Sequence, residues 1–251
     1  MYNILIAIGL GLLMYGVVAV LLHPIGAVFP AVGVVVLAIF LLTRRTGRQV
    51  EAEMRALPQL LQARKVDEAK ALLDGVRQRY GRWQILLGGQ LEAQVGMLDY
   101  IQMKFDDALP RLKKGTFQNW TAWTAIACIH WRRDRRDDAW AAFEKAASAG
   151  SKEAIVYAMW AQLLVKAGKR NEAVSVLARG LEVLPESDFL KGLSKRVANK
   201  KSIDVKRFPQ TYYQFWPEEF AKSYVMRGRR DGGMAGQRVQ PRFGGRAAPR
   251  R

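Results

Sequence analysis

The first 43 residues of the chain form an apolar stretch that contains no Lys, Arg, Asp or Glu. Residues 4–22 are 19 consecutive apolar residues, and a helix of this length crosses about 30 Å of hydrocarbon. Turn residues at 23–26 interrupt the run, which then continues to residue 42. The pattern predicts a transmembrane helical hairpin over residues 1–43 with a very short turn. A single span followed by a re-entrant segment is the alternative, because the second run is short.

The charged residues that follow the second run indicate how the hairpin is oriented. Arg44, Arg45 and Arg48 come directly after it, whereas the start of the chain and the turn carry no charged side chain. Excess Arg beside a span marks the cytoplasmic side of a membrane. We therefore expect an integral protein of the bacterial inner membrane, with a basic juxtamembrane linker helix over residues 44–57 and all later residues in the cytoplasm.

After residue 57 the pattern changes to short amphipathic helices that repeat one motif. In each of four segments, an Ala follows acidic or amide residues and precedes a large apolar residue by four positions. These residues are Ala69, Ala108, Ala139 and Ala173, and their spacings are 39, 31 and 34 residues. Twelve positions before them stand Leu57, Gly96, Ala127 and Ala161. Repeats of this length predict an all-α solenoid of helix-turn-helix units.

The last of the four units resembles the tetratricopeptide repeat (TPR) family. It has Gly168 between its two helices, Ala173 and Gly180 in the second helix, and Pro185 after that helix. The resemblance covers residues 58–187, although the first unit departs from the family's pattern of small residues. An unrelated α-helical bundle with Ala-rich contacts is the alternative.

The resemblance implies stacked helix pairs that approach each other closely at small residues and end in a polar capping helix, so that the repeat domain covers residues 58–200. The 39-residue step also implies an insertion near residues 79–89. The expected packing positions are Ala69, Gly96, Ala108, Ala127, Ala139, Ala161, Gly168, Ala173 and Gly180.

The resemblance further implies a concave face, lined by the first helix of each unit, to which a protein or peptide partner binds. The family's groove positions correspond here to Met97, Tyr100, Ile101, Thr124, Cys128, Trp131, Arg132, Gln162, Val165 and Lys166. Together they imply an apolar floor with a basic edge, which suits an amphipathic helix or a peptide that carries carboxylates. For Tyr100 and Trp131, packing in the core is the alternative.

An aromatic-rich extension over residues 201–225 follows the repeats. Within thirteen residues, 208–220, it has the aromatic residues Phe208, Tyr212, Tyr213, Phe215, Trp216 and Phe220. So much aromatic surface is unfavourable in water, and we expect it to fold back along the solenoid into the chain's own groove. A membrane-interface anchor or a docking strip for a partner are the alternatives.

The charge of the protein is concentrated at its end. The formal net charge is +18 and the pI about 10.3, and residues 191–251 contain 16 basic and 4 acidic side chains. Residues 226–251 are rich in Arg and Gly, which predicts a disordered basic tail. It can contact anionic lipid headgroups or RNA, or simply keep the protein soluble. The expected contact residues are Arg227, Arg229, Arg230, Arg238, Arg242, Arg246, Arg250 and Arg251.

The sequence offers little for catalysis. The single cysteine, Cys128, forms no disulfide within the chain, and with only two histidines no Cys/His zinc cluster can form. His130 is two positions from Cys128 on one helix, which turns the two side chains apart. We therefore predict no enzymatic activity and no cofactor. The function that this pattern favours is a membrane-anchored TPR-type scaffold or adaptor, and the alternative is a membrane tether for nucleic acid or a ribosome through the tail.

Overall fold

The computed structural model describes residues 2–21 and 24–219. Within these ranges every regular element is helical, so the all-α prediction is confirmed. Of the turn predicted at residues 23–26, residue 23 lies outside the described residues and residues 24–26 are the first turn of a helix. The end of the aromatic extension and the basic tail also lie outside the described residues. The helices are α1 (Tyr2–Leu21), α2 (Pro24–Met54), α3 (Leu57–Gln62), α4 (Val66–Tyr80), α5 (Leu87–Ile101), α6 (Phe105–Lys114), α7 (Trp120–Arg132), α8 (Arg136–Ala149), α9 (Ala154–Lys166), α10 (Arg170–Val183), α11 (Asp188–Ala198) and α12 (Tyr212–Phe215), with a 3₁₀ turn at Val205–Arg207.

Helices α1 and α2 pack against each other and are long and apolar enough to cross a membrane by length and composition. Small residues make their contact close. A Cβ atom at Gly11 would stand 2.2 Å from Cγ2 of Val35 and 3.3 Å from the carbonyl oxygen of Ala31. Ala7 and Ala27 are fully buried in the same interface, whereas most of the large apolar side chains of the pair point outward and are exposed.

Helix α2 does not end where the apolar run ends. It continues without a break past Arg44 to Met54, so the residues predicted to form a separate linker helix are the last turns of α2 and the start of α3. A helix of 31 residues is about 46 Å long, which leaves roughly 15 Å beyond a hydrocarbon layer of about 30 Å. The repeats are therefore attached through a continuous helix.

The repeats are four helix pairs, α3/α4, α5/α6, α7/α8 and α9/α10, followed by α11. The four motif residues Ala69, Ala108, Ala139 and Ala173 all lie in the second helix of a pair and are fully buried. Helix α5 approaches α6 so closely that a Cβ at Gly96 would lie 2.9 Å from the backbone nitrogen of Leu112. Small residues at these positions therefore set the separation of the helices.

The turns between the paired helices repeat as strictly as the packing residues. Arg64, Met103, Asp134 and Gly168 have φ values of 59°, 62°, 58° and 79°, and each lies five positions before the buried Ala of its unit. After each of them, the next backbone N–H donates to a carbonyl five positions back, as Lys104 N does to Asp99 O at 2.9 Å. This is a Schellman-type helix end. Only the fourth unit has glycine, the residue that this conformation favours.

The predicted insertion is the loop of residues 81–86, and it returns to the foot of the hairpin. The backbone N–H of Tyr2 donates to the carbonyl oxygen of Arg82 at 3.1 Å, and Nε2 of Gln84 donates to the carbonyl oxygen of Thr43 at 3.0 Å. The ring of Tyr2 also meets that of Trp83 at 5.6 Å between centroids. The loop therefore lies beside the start of α1 and beside the end of the apolar part of α2.

Candidate partner-binding groove

The first helices of the repeats, α5, α7 and α9, present one inner face, and the chain's own C-terminal segment covers it. We call this segment, residues 203–219, the strap. Its side chains Phe208, Tyr212, Phe215 and Trp216 are buried and belong to the main hydrophobic core, which runs from α5 to α12. The expectation that the aromatic extension folds back along the solenoid is confirmed for these residues.

Arg132 at the end of α7 is the centre of the contact. Its Nη2 donates to the carbonyl oxygen of Phe215 at 2.8 Å and to Oε1 of Glu218 at 2.7 Å, and its Nη1 donates to the hydroxyl of Tyr100 at 2.7 Å. The guanidinium also lies over the ring of Trp216, 4.2 Å from the centroid. One planar cation thus binds a carbonyl, a carboxylate and an aromatic face, which Arg suits better than Lys.

Two tyrosines extend the contact along the strap. Tyr100 on α5 is fully buried and donates its hydroxyl hydrogen to the carbonyl oxygen of Phe215 at 2.7 Å. On the strap, the hydroxyl of Tyr212 accepts from Nε2 of Gln162 at 3.2 Å and donates to Oε2 of Glu219 at 3.1 Å. Buried polar groups are stable only when they are paired in this way, so polar contacts fix the register of the strap on the face.

Burial under the strap also sets the protonation of the groups beneath it. Burial raises the pKa of the Cys128 thiol to about 12, and burial raises the pKa of Tyr100 well above its ordinary range. The pKa of Tyr212 is likewise raised, chiefly by burial. All three groups are therefore neutral at physiological pH. Because a thiolate is the reactive form of cysteine, Cys128 is chemically inert in this state.

The structure brings most of the predicted groove residues together. Fully or almost fully buried are Tyr100, Thr124, Cys128 and Gln162; half-buried are Met97, Trp131, Arg132 and Val165; and exposed are Ile101 and Lys166. Lys166 contributes the basic edge, with Nζ over the ring of Trp216 at 5.5 Å. Binding of a separate partner by these residues stays a prediction, since the strap covers the face in this structure.

Trp131 lies on a different side of α7 from the strap. Its ring packs against that of Trp140 on α8, 5.6 Å between centroids, and the guanidinium of Arg136 lies 3.4 Å from its centroid. Successive residues of a helix point about 100° apart, so Arg132 faces the strap while Trp131 faces the neighbouring helix. Packing in the core, the alternative for Trp131, is what the structure shows.

Three residues of the contact were not identified from the sequence. The ring of Phe105, the first residue of α6, lies 4.8 Å from the Arg132 guanidinium, and the ring of Trp120 lies 6.2 Å from that of Phe215. Glu218 supplies the carboxylate that pairs with Arg132. The signal for Glu218 was its position directly after the Phe-Trp-Pro sequence of the strap, while Phe105 and Trp120 gave no signal beyond being apolar.

An open cavity of about 470 Å³ remains where the strap meets α5. Its lining residues are Ile101, Gln210, Thr211, Tyr213, Gln214 and Pro217. The strap therefore covers most of the inner face and leaves an open cavity beside α5. No group of three or more His, Cys, Asp or Glu suited to a metal ion is found in the described part of the chain.

No family model and no curated protein matches this sequence. Among solved structures, the chain is similar to the crystal structure of the MamA protein, with 16% sequence identity and a TM-score of 0.44, over 71% of this chain and 96% of that chain. With so distant a likeness, the helical-repeat fold and the groove described above stand on the contacts of this chain alone.

Proposed function

We propose that this protein is a membrane-anchored adaptor of TPR type that binds a segment of a protein partner on the inner face of α5, α7 and α9. The observation that supports this function is the strap itself. The face binds an aromatic segment through a backbone carbonyl, a carboxylate and a tryptophan ring, all at Arg132. A partner segment with aromatic residues next to a carboxylate fits the same groups, and it competes with the strap for them.

The hairpin supplies the membrane anchor of this proposal. Helices α1 and α2 are apolar over lengths that suit a bilayer, and their outward side chains have no protein to pack against in the described structure. Arg44, Arg45 and Arg48 follow the second span, which favours a cytoplasmic position for the repeats. The adaptor then presents its groove at the inner surface of the membrane.

The test compares full-length variants in a detergent pull-down with quantitative mass spectrometry. Phe215→Ala weakens the strap and leaves the inner face intact, whereas Arg132→Ala removes both the strap contact and the cation of the face. Phe215→Ala should recover more partner than the wild type, because the weakened strap competes less for the inner face. Arg132→Ala should recover at least about tenfold less partner than Phe215→Ala, because one central anchor of an interface is worth at least about tenfold in affinity.

The control variant is Phe117→Ala, which removes an exposed aromatic ring between α6 and α7. It should recover the same proteins in the same amounts as the wild type. Equal recovery by Phe215→Ala and Arg132→Ala would show that the inner face is not the binding site.

A further inference from the structure

A second cavity lies at the foot of the hairpin, far from the strap. It measures about 330 Å³ and is lined by Asn3, Leu42, Arg45, Thr46, Gln49, Tyr80 and Trp83. Leu42, Arg45, Thr46 and Gln49 are spaced as neighbours on one face of α2. The cavity begins where the apolar run of α2 ends, and the loop of residues 81–86 closes its side. In a membrane, this height is that of the lipid headgroups.

The polar groups of this cavity are incompletely paired. Asn3 is only 3% exposed; its Nδ2 donates to the hydroxyl of Thr46 at 3.2 Å, but its Oδ1 accepts no hydrogen bond from the described residues. The hydroxyl of Thr46 in turn donates to the carbonyl oxygen of Leu42 at 2.9 Å. A buried acceptor without a donor is destabilising. A hydrogen-bond donor from outside the described residues would therefore stabilise Oδ1 of Asn3.

Arg45 provides the complementary charge. It is exposed at the rim, and it forms no ion pair with a carboxylate among the residues that the structure describes. The rings of Tyr80 and Trp83 form the opposite wall, and Ile85 and Leu86 are exposed beside them on the loop. Trp and Tyr rings are enriched at the boundary between hydrocarbon and water. The surroundings therefore suit a ligand with an anionic centre, a nearby hydrogen-bond donor and apolar chains.

We propose that this cavity binds the headgroup of a phospholipid of the cytoplasmic leaflet, with the phosphodiester on Arg45 and a headgroup N–H or O–H on Asn3. Phosphatidylethanolamine and phosphatidylglycerol both carry such a donor next to the phosphate, whereas phosphatidylcholine has none. All three lipids carry the phosphodiester, so the site distinguishes their headgroups by the donor. The bound lipid would join α1, α2 and the loop of residues 81–86, and so fix the repeats against the membrane. This inference rests on the membrane anchor of the proposed function.

The test uses the full-length protein in detergent with equal amounts of the three lipids, and native mass spectrometry measures the lipid retained. Since leaving a buried acceptor unpaired costs about tenfold in binding, phosphatidylethanolamine and phosphatidylglycerol should be retained about tenfold more than phosphatidylcholine. Arg45→Gln should lower retention of all three lipids, and Asn3→Leu should remove the preference among them.

Two control variants separate binding from structure. Thr46→Val removes the same Asn3–Thr46 hydrogen bond but keeps the Oδ1 acceptor, so the preference should survive. Arg48→Gln removes a neighbouring positive charge that does not line the cavity, and retention should be unchanged. Equal retention of the three lipids by the wild type, or unchanged retention by Arg45→Gln, would overturn the proposal.

Two further measurements identify the source of the ligand and separate this inference from the anchor. Inorganic phosphate at millimolar concentration should not displace the lipid, and displacement would mean a site for free phosphate instead. Carbonate extraction of membranes tests the anchor alone. A protein that stays in the extracted membranes but retains no lipid disproves only the headgroup site, whereas a protein released by carbonate disproves the anchor and this inference together.

Discussion

In each of the four turns between paired helices, one residue adopts the left-handed backbone conformation. In three of the four turns this residue is not glycine and is therefore disfavoured there. Arg64, Met103 and Asp134 adopt the left-handed conformation at the positions where the fourth unit has Gly168. A residue with a Cβ pays about 1–2 kcal/mol for this conformation. The packing of the paired helices therefore imposes the turn geometry. Glycine lowers the free energy of the turn but is not required for it.

Gly168 offers a clean measurement of that cost, because a Cβ atom there would meet nothing within 4 Å. Gly168→Ala should lower the free energy of unfolding by roughly 1 kcal/mol, which is the cost of the left-handed conformation less the stabilisation that comes from the lower entropy of the unfolded chain. The matched control is Gly192→Ala in α11, where a Cβ also meets nothing within 4 Å. It should raise stability by about 0.5–1 kcal/mol. Chemical denaturation followed by circular dichroism checks both, and the same sign for both would contradict the argument.

At the scale of elements, the strap determines whether the inner face of α5, α7 and α9 is accessible. Cys128 is fully buried in the same hydrophobic cluster as Tyr212 and Phe215 of the strap. It is also the only cysteine of the chain. A thiol reagent such as N-ethylmaleimide therefore reports at one atom whether the strap is in place.

We expect Cys128 of the wild-type protein to react slowly at pH 8, because burial raises its pKa to about 12 and keeps it protonated. A loosened strap admits water, the pKa falls toward its ordinary value, and thiolate forms. Phe215→Ala should therefore speed the reaction by at least about tenfold, as measured by mass spectrometry of the intact protein. The surface variant Phe117→Ala should react like the wild type. A reaction of Phe215→Ala as slow as that of the wild type would show that the strap does not shield the thiol.

The elements also show what the sequence could and could not predict. The repeat of Ala69, Ala108, Ala139 and Ala173 was visible because close packing restricts those positions to small residues, and the structure buries all four. It was harder to predict which residue of α7 faces the strap. Trp131 and Arg132 are adjacent, and only the packing of the neighbouring helices determines which of them faces inward. Contacts between distant segments carry no local signal.

The same limit applies to the interface between the first two helix pairs, where buried charged residues lie beside an apolar cluster. Glu92 and Asp99 on α5 are almost fully buried. Their partners come from both sides: Arg77 on α4 lies 3.0 Å from Glu92, and Arg111 on α6 lies 3.4 Å from Asp99. A charge on an amphipathic helix is normally solvated, so the burial of Glu92 and Asp99 could not be predicted from the pattern. Their burial depends on cations that converge only in the folded chain.

At the scale of the whole molecule, the hairpin decides where the groove can act. The apolar part of α2 from residue 24 to 42 is one continuous helix, and its 19 residues rise about 28 Å, which is enough to cross the hydrocarbon. A re-entrant segment needs a break in this helix, and the helix of the structure continues through it. If both helices span the membrane, as we propose, the start of α1 and the repeats lie on the same side of it.

A reporter enzyme that is active only outside the cytoplasm tests this topology. Fused after Arg251 it should stay inactive, because Arg44, Arg45 and Arg48 after the second apolar run predict that this end lies on the cytoplasmic side. Fused after Leu21, behind the first span alone, the same reporter should be exported and active, which serves as the matched control. Activity of the full-length fusion would place the repeats outside the cytoplasm, and the partner of the groove would then have to be sought there. An inactive full-length fusion together with an active truncated one restricts the partner to proteins that reach the cytoplasmic face of the membrane.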